Sequence, residues 1–230
     1  RAEGALSTLR GVGHDILNPV SRIKRILGIM KADGRNRSPD EDELLNTLNK
    51  NIKRLSGYAE QLKFVYRRGI GEVQDSAVSA NASAEIKNLI TELKFDPEAI
   101  DRKINFSADI EEGCFVAMPA AALGRLAENL CANGIQASGT GGSLRVNVQR
   151  VDDWVEMRVE DEGVGIPNDN HSRIFEAGYS TKPNKGTGLG LFVVREICQQ
   201  YGADISLRSR VGSGTSVKIR IPRREVTNVV

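Results

Sequence analysis

Only 5% of the 230 residues are aromatic, two are histidine and three are cysteine. Each shortage excludes a class of protein. Cys114, Cys131 and Cys198 have neither zinc spacing nor an even count, which argues against a disulfide framework and for buried thiols in a reducing compartment. Two histidines, His14 and His171, are too few for most His-rich metal sites. No apolar stretch approaches the roughly 18 residues of a membrane span and no signal peptide opens the chain, so it reads as cytoplasmic as it stands. It begins with Arg1 rather than Met, and it is expected to be a piece of a longer protein whose other parts can cross a membrane. A formal net charge of +2, from 32 basic and 30 acidic residues well mixed, leaves no basic stripe for a nucleic-acid backbone. Nucleic acid is not an expected partner.

What is present is a soluble globular balance, 40% apolar and 27% charged, in a length that suits two domains of roughly 100 to 200 residues. From the start of the chain, Leu6, Leu9, Gly13, Ile16, Val20, Ile23, Leu27 and Met30 recur in steps of three and four, the spacing of a coiled-coil seam. The polar run 33–40 (DGRNRSPD) stops that helix, with Ser38 and Asp40 as candidate caps for the next. A second seam then runs through Leu45, Leu48, Ile52, Leu55, Ala59, Leu62 and Tyr66. Two such helices joined by a short turn make an antiparallel hairpin, which cannot by itself bury both seams and the flanking Leu17, Ile26 and Leu44. Pairing of two hairpins into a homodimeric four-helix bundle resolves this.

Over residues 69–83 (GIGEVQDSAVSANAS) the heptad is lost and the chain turns small and polar. The expected organisation is therefore a helical hairpin over 1–72, a linker over 73–84 and a second domain over 85–230. In that domain 103–110 and 114–118 read as strands and 119–137 as a helix with Pro119 in its first turn. Residues 143–151 and 154–161 alternate as strands around an Asp152-Asp153 turn, 188–201 is helical, and 203–210 and 215–221 close the chain as strands. This order fits helices on one face of a mostly antiparallel sheet. There are no internal repeats.

Two clusters carry chemistry. In HDILNPV (14–20), His14 falls one position off the first seam, on the flank of the bundle. Alone it is a solvated surface histidine. Asp15 beside it can accept a ring proton and leave the other nitrogen a nucleophile, and Asn18, one turn on, can position a water or a phosphoryl oxygen. Pro19 removes a helical hydrogen bond at a cost of about 3 kcal/mol, which reads either as a tolerated kink or as a bend that presents His14.

The second cluster lies in the mixed domain. Asn129 and Asn133 share a stripe of the helix over 119–137; they are either solvated surface or a hard oxygen ligand for magnesium. Asp161 ends a strand and opens DEGVGIP (161–167), where Gly163 and Gly165 allow a sharp turn with close approach of a ligand. In KGTGLGLFVV (185–194) a glycine-rich loop opens directly into a helix, where backbone amides and the helix dipole favour phosphate. It is not the dinucleotide fingerprint, because no strand feeds it. Between these turns, 175–184 (FEAGYSTKPN) reads as a mobile lid with Lys182 and Lys185 available to phosphate, and His171 at its base as a surface or capping residue.

In chain order, HDILNP, ENLCANGIQAS, DEGVGIP, IFEAGYSTK, GTGLGL and GSGTSVKIRIP resemble the transmitter core of bacterial sensor histidine kinases, with its H, N, G1, F and G2 boxes. The resemblance covers nearly the whole chain. It implies an α+β protein in which an N-terminal antiparallel helical hairpin forms a dimeric four-helix bundle, followed by an α/β sandwich ATP-binding domain like those of gyrase, the Hsp90 chaperones and MutL-type ATPases. It further implies ATP-dependent autophosphorylation on His14, phosphoryl transfer to an aspartate of a response-regulator receiver domain, phosphatase activity toward that regulator, and ATP and Mg2+ as cofactors. By the same resemblance Asp15 is the adjacent base, Asn18 assists the phosphatase chemistry, and Asn133 is the magnesium ligand with Asn129 beside it. Asp161 accepts from the adenine amino group, Gly163 and Gly165 form the adenine-side turn, and Gly186, Thr187, Gly188, Leu189 and Gly190 form the phosphate loop. Lys182 reaches the terminal phosphate and Thr215 lines the adenine pocket. Membrane attachment is expected only through regions absent from this chain.

Two positions depart from the family pattern. Asp15 stands where glutamate is more usual, and Gly134 where alanine is more usual, the latter expected to loosen its helix by up to about 1 kcal/mol without changing the ligands. An ATPase of the same nucleotide fold that drives conformational change is the competing class; HDILNP on a coiled-coil seam argues against it. A kinase-dead scaffold would have lost glycines or asparagines, and none is lost.

Overall fold

A computed structural model describes residues 79–180 and 188–224 and, in the N-terminal region, Ile23 and residues 41–45, 47–48 and 52. The chain divides into two compact units, Arg1–Gln74 and Asp75–Val230. In the first, the described residues are helical. Leu45 and Ile52, a heptad apart, are 6% and 4% exposed, whereas Leu44 and Leu48 are 61% and 41% exposed. Leu48, assigned from spacing to the same seam as Leu45 and Ile52, instead shares an i, i+4 stripe with Leu44, and that stripe is uncovered in the single chain.

The second unit begins earlier than its composition suggests. Residues 80–84, expected to finish the linker, form strand β1 (Ala80–Asn81) and the first turn of helix α1 (Ala82–Leu93). The Asn81 side chain caps α1 by accepting from the Ala84 amide at 3.1 Å, so the small polar run ends in a helix start. A short helix α2 (Pro97–Asp101) follows, capped by Asp96 and opened by proline. Strand β2 (Asn105–Ile110) starts two residues after Lys103, which sits at φ +52° and cannot continue a strand. Then come β3 (Phe115–Val116), helix α3 (Ala120–Ala137), β4 (Ser143–Val151), β5 (Trp154–Asp161), helix α4 (Gly190–Gln200), β6 (Asp204–Ser209) and β7 (Thr215–Pro222).

The main sheet has the order β2-β4-β5-β7-β6 and is antiparallel except for the β2–β4 pair. β1 pairs separately with β3. One face of the sheet is aliphatic: Leu144, Val146 and Val148 of β4, Val155, Met157 and Val159 of β5, and Val217, Ile219 and Ile221 of β7 are all buried. They pack with Leu123, Leu126 and Leu130 of α3 and Val193, Val194 and Ile197 of α4, each such side chain contributing about 1.5–3 kcal/mol on burial. Cys114, Cys131 and Cys198 are buried free thiols, and burial pushes Cys131 and Cys198 up to about 12.

The opposite face is charged. Glu156 accepts from Arg158 at 2.6 Å and pairs with Lys218 at 3.3 Å. Burial pushes its carboxyl upward, yet those two hydrogen bonds prevail and hold it below the usual range. No helix among the described residues is long and apolar enough to cross a membrane.

Candidate functional site

The C-terminal end of β5 is where the backbone packs most closely. Asp161 accepts from the Gly163 amide through Oδ1 at 2.9 Å, which closes the turn after the strand and fixes the carboxylate on the helix side of the sheet. A side chain at Gly163 would fall 2.6 Å from the Ala137 carbonyl, at the end of α3. From below, Gly214 presses against the Asp161 carbonyl with φ +86°, a conformation and a clearance that only glycine provides. Sequence reasoning missed Gly214; its GSG setting next to Thr215 is the only signal it had.

Around this aspartate the two glycine turns lock to each other. The Val164 amide donates to Ala137 O at 3.1 Å and the Gly212 amide to Val164 O at 2.8 Å, while Gly165 backs onto the Arg210 carbonyl. The Ile166 amide donates to Ser209 Oγ at 2.8 Å, and that hydroxyl lies 2.9 Å from Thr215 Oγ1. Thr215 is the cross-strand partner of Asp161, so both predicted residues stand at one end of the sheet. His171 does cap the short 3-10 turn Asn168–Asn170 through its amide, and its Nε2 also donates to Ile166 O at 3.1 Å. The Nε2 bond ties this capping residue back to the turn that follows β5.

The asparagines of α3 face the start of α4. Asn129 Nδ2 donates back to Arg125 O at 2.7 Å, which turns its Oδ1 toward Gly190, 3.1 Å from where a Cβ there would lie. Asn133 Nδ2 is 3.7 Å from the same point, is buried, and has no hydrogen-bond partner among the described residues. A buried amide end left unpaired costs about 1–3 kcal/mol, so its retention needs a reason outside packing. α4 itself opens with no side-chain cap and no acidic residue in its first turn. Among the described residues no side chain caps its first amides, and the helix dipole there favours an anion. Gly188, Leu189 and Gly190 shape this opening, the Gly188 carbonyl accepting from the Gly178 amide at 3.1 Å. The Asn129 Oδ1 here is of the kind a hard cation takes, whereas the unpaired Asn133 Nδ2 is a donor suited to a phosphate oxygen and leaves that residue's Oδ1 as its own cation ligand.

Thus the structure brings Asn129, Asn133, Gly188, Leu189 and Gly190 together, and gathers Asp161, Gly163, Gly165 and Thr215 at the neighbouring strand ends. His14, Asp15, Asn18, Lys182, Gly186 and Thr187 lie outside the described residues.

Residues 119–225 match the family described as histidine kinase-, DNA gyrase B-, and HSP90-like ATPase. Sporulation kinase C of Bacillus subtilis is 27% identical over 214 residues, which cover 92% of this chain and 47% of that protein. Sensor kinase CckA of Brucella abortus is 29% identical over 231 residues, covering 93% of this chain and 24% of that one. The fold is similar to full-length ShkA in complex with AMPPNP, with a TM-score of 0.73 at 19% identity over 96% of this chain and 46% of that chain. The chain spans less than half the length of either curated relative. Because the family match opens at the residue before α3 and ends just past β7, it encloses every described part of the site, and over residues 119–225 the chain is similar to the ATP-binding core of the histidine kinase-, gyrase B- and HSP90-like ATPases.

Proposed function

We propose that this protein is an ATP-dependent histidine kinase that phosphorylates itself on His14 and passes the phosphoryl group to an aspartate of a response-regulator receiver domain. The observation that carries the nucleotide half is the buried, unpaired Asn133 amide opposite the uncapped start of α4. Asn133, with Asn129 beside it, would hold Mg2+ through its side-chain oxygen, and the ion would supply charge to offset that of the phosphates. Asp161 accepts from the exocyclic amine of adenine, with Gly163, Gly165 and Thr215 forming the base-side wall. Residues 186–190 receive the phosphates on backbone amides and Lys182 meets the terminal one. A ring nitrogen of His14 attacks the γ-phosphorus, a nitrogen–phosphorus bond forms as the bond to ADP breaks, and Asp15 takes the ring proton. Catalysis of this kind is mostly positioning and charge neutralisation. Asn18 positions a water for dephosphorylation of the regulator.

The exposed stripe of Leu44 and Leu48 supports a homodimer through residues 1–72, since a second hairpin would cover it. The division into a hairpin over 1–72, a linker over 73–84 and a catalytic domain over 85–230 is part of the same proposal. Incubation with γ-labelled ATP tests the proposal: the parent should gain a label that acid removes and alkali spares, and His14→Gln should gain none while binding ATP normally. An acid-labile label on His14→Gln would show that the acceptor is elsewhere.

A further inference from the structure

Gly134 looks from the sequence like a flaw in α3, yet it is buried against the sheet beside Asp161. A Cβ built there would overlap Leu144 Cδ1 and come to 3.4 Å from Asp161 Cβ and 3.7 Å from Asp161 Oδ2. The backbone at this point has little freedom to yield, because the Gly134 carbonyl accepts from both the amide and the hydroxyl of Ser138, at 3.0 and 2.8 Å. Leu144 has little freedom either: it is 0% exposed, in a core packed like an organic crystal and restricted to a few rotamers. Leu144 and Asp161 are directly paired across β4 and β5, so their side chains leave the sheet on the same side. The Asp161 carboxylate, fixed at Oδ1 by the Gly163 amide, and Leu144 Cδ1 thus border the same space at Gly134.

We propose that Leu144 is a positioning residue for the Asp161 carboxylate, its Cδ1 methyl seated in a notch that only glycine at 134 leaves open. The inference rests on the assignment of Asp161 to the adenine amine. A methyl group added at 134 pushes Leu144 toward Asp161, and the cost falls on the nucleotide whose base that carboxylate reads. The same volume can be exchanged across the contact, since Gly134→Ala adds one carbon where Leu144→Val removes one.

The test uses the full chain and the affinities for ATP and GTP, measured calorimetrically on the parent, Gly134→Ala, Gly134→Ala/Leu144→Val and Asp161→Asn. Gly134→Ala should lose about tenfold in ATP affinity with a smaller change for GTP, and the double variant should return to within about twofold of the parent. A Gly134→Ala protein that binds ATP like the parent, or a double variant as weak as the single one, overturns the inference. Should Gly134→Ala fail to fold by circular dichroism, the double variant decides: folded and adenine-selective supports the exchange, unfolded or unselective rejects it. Asp161→Asn separates the two claims. If it abolishes the preference for ATP while Gly134→Ala keeps it, the carboxylate assignment stands and the Leu144 role falls; if it leaves the preference intact, both fall.

Discussion

At one end of β5, Trp154 pairs across the sheet with Pro222 and carries the Arg220 guanidinium 5.0 Å above its ring, while Asp152 turns the hairpin at φ +54°. At the other end Asp161 is surrounded by places where side chains are missing, at Gly134, Gly163 and Gly214. The first end is held by added surface and the second by backbone brought close. The difference teaches where this fold tolerates change. Loss of atoms at the tryptophan end costs stability in proportion to area, whereas gain of a single carbon at the aspartate end forces strands and turns apart.

The sharpest way to break the comparison is Gly214→Ala. Its methyl group would overlap the Asp161 carbonyl and hold alanine at φ +86°, so urea unfolding should show a loss of about 3 kcal/mol or more, with nucleotide binding lost as well. A variant as stable as the parent would show that close packing is not what holds this end. Asn133→Ala should act oppositely on the two readouts. Autophosphorylation should fall by about two orders of magnitude, while stability stays within about 0.5 kcal/mol because the amide it removes is already unpaired. A large loss of stability would place Asn133 among the structural residues instead.

The buried thiols of the helix layer contribute to loss of stability at alkaline pH. Burial raises Cys131 and Cys198 from the ordinary 9.0 to about 12 in the folded protein. A raised folded pKa gives stability that is complete below the unfolded value and is lost as pH climbs from there toward the folded one. At pH 10 each thiol should therefore cost about 1.4 kcal/mol, and a Cys131→Ala/Cys198→Ala protein should show a flatter decline between pH 8 and 10 in denaturant titrations. Trp154→Ala, in contrast, is expected to cost about 1 kcal/mol of stability for a half-buried ring at the sheet's end and to leave ATP affinity within about twofold. An ATP-binding defect in that variant would mean that the two ends are coupled.

Much of the second unit was legible because short-range patterns dictated it. β4 and β5 were bounded correctly by strict alternation on either side of an Asp-Asp turn. α3 was read from its apolar stripe and the proline before it, and the asparagines on its other stripe followed from the same period. What escaped were α1 and α2, and the start of α1 was hidden by a linker-like composition in which Asn81 is a cap and not a spacer.

The residues themselves therefore determined which side chains could meet a nucleotide and on which element each sits, because helix and strand periods act over a few positions. Only the tertiary structure decided what surrounds them. The insertion of β7 between β5 and β6 sets Thr215 beside Asp161, and the parallel β2–β4 pair comes from strands that only a crossover can join. The fit of Leu144 into the space at Gly134 joins positions on different elements whose approach no local pattern encodes. Steric exclusion acts between whatever atoms the fold brings together, so the meaning of a glycine is settled by its neighbour across space, not along the chain.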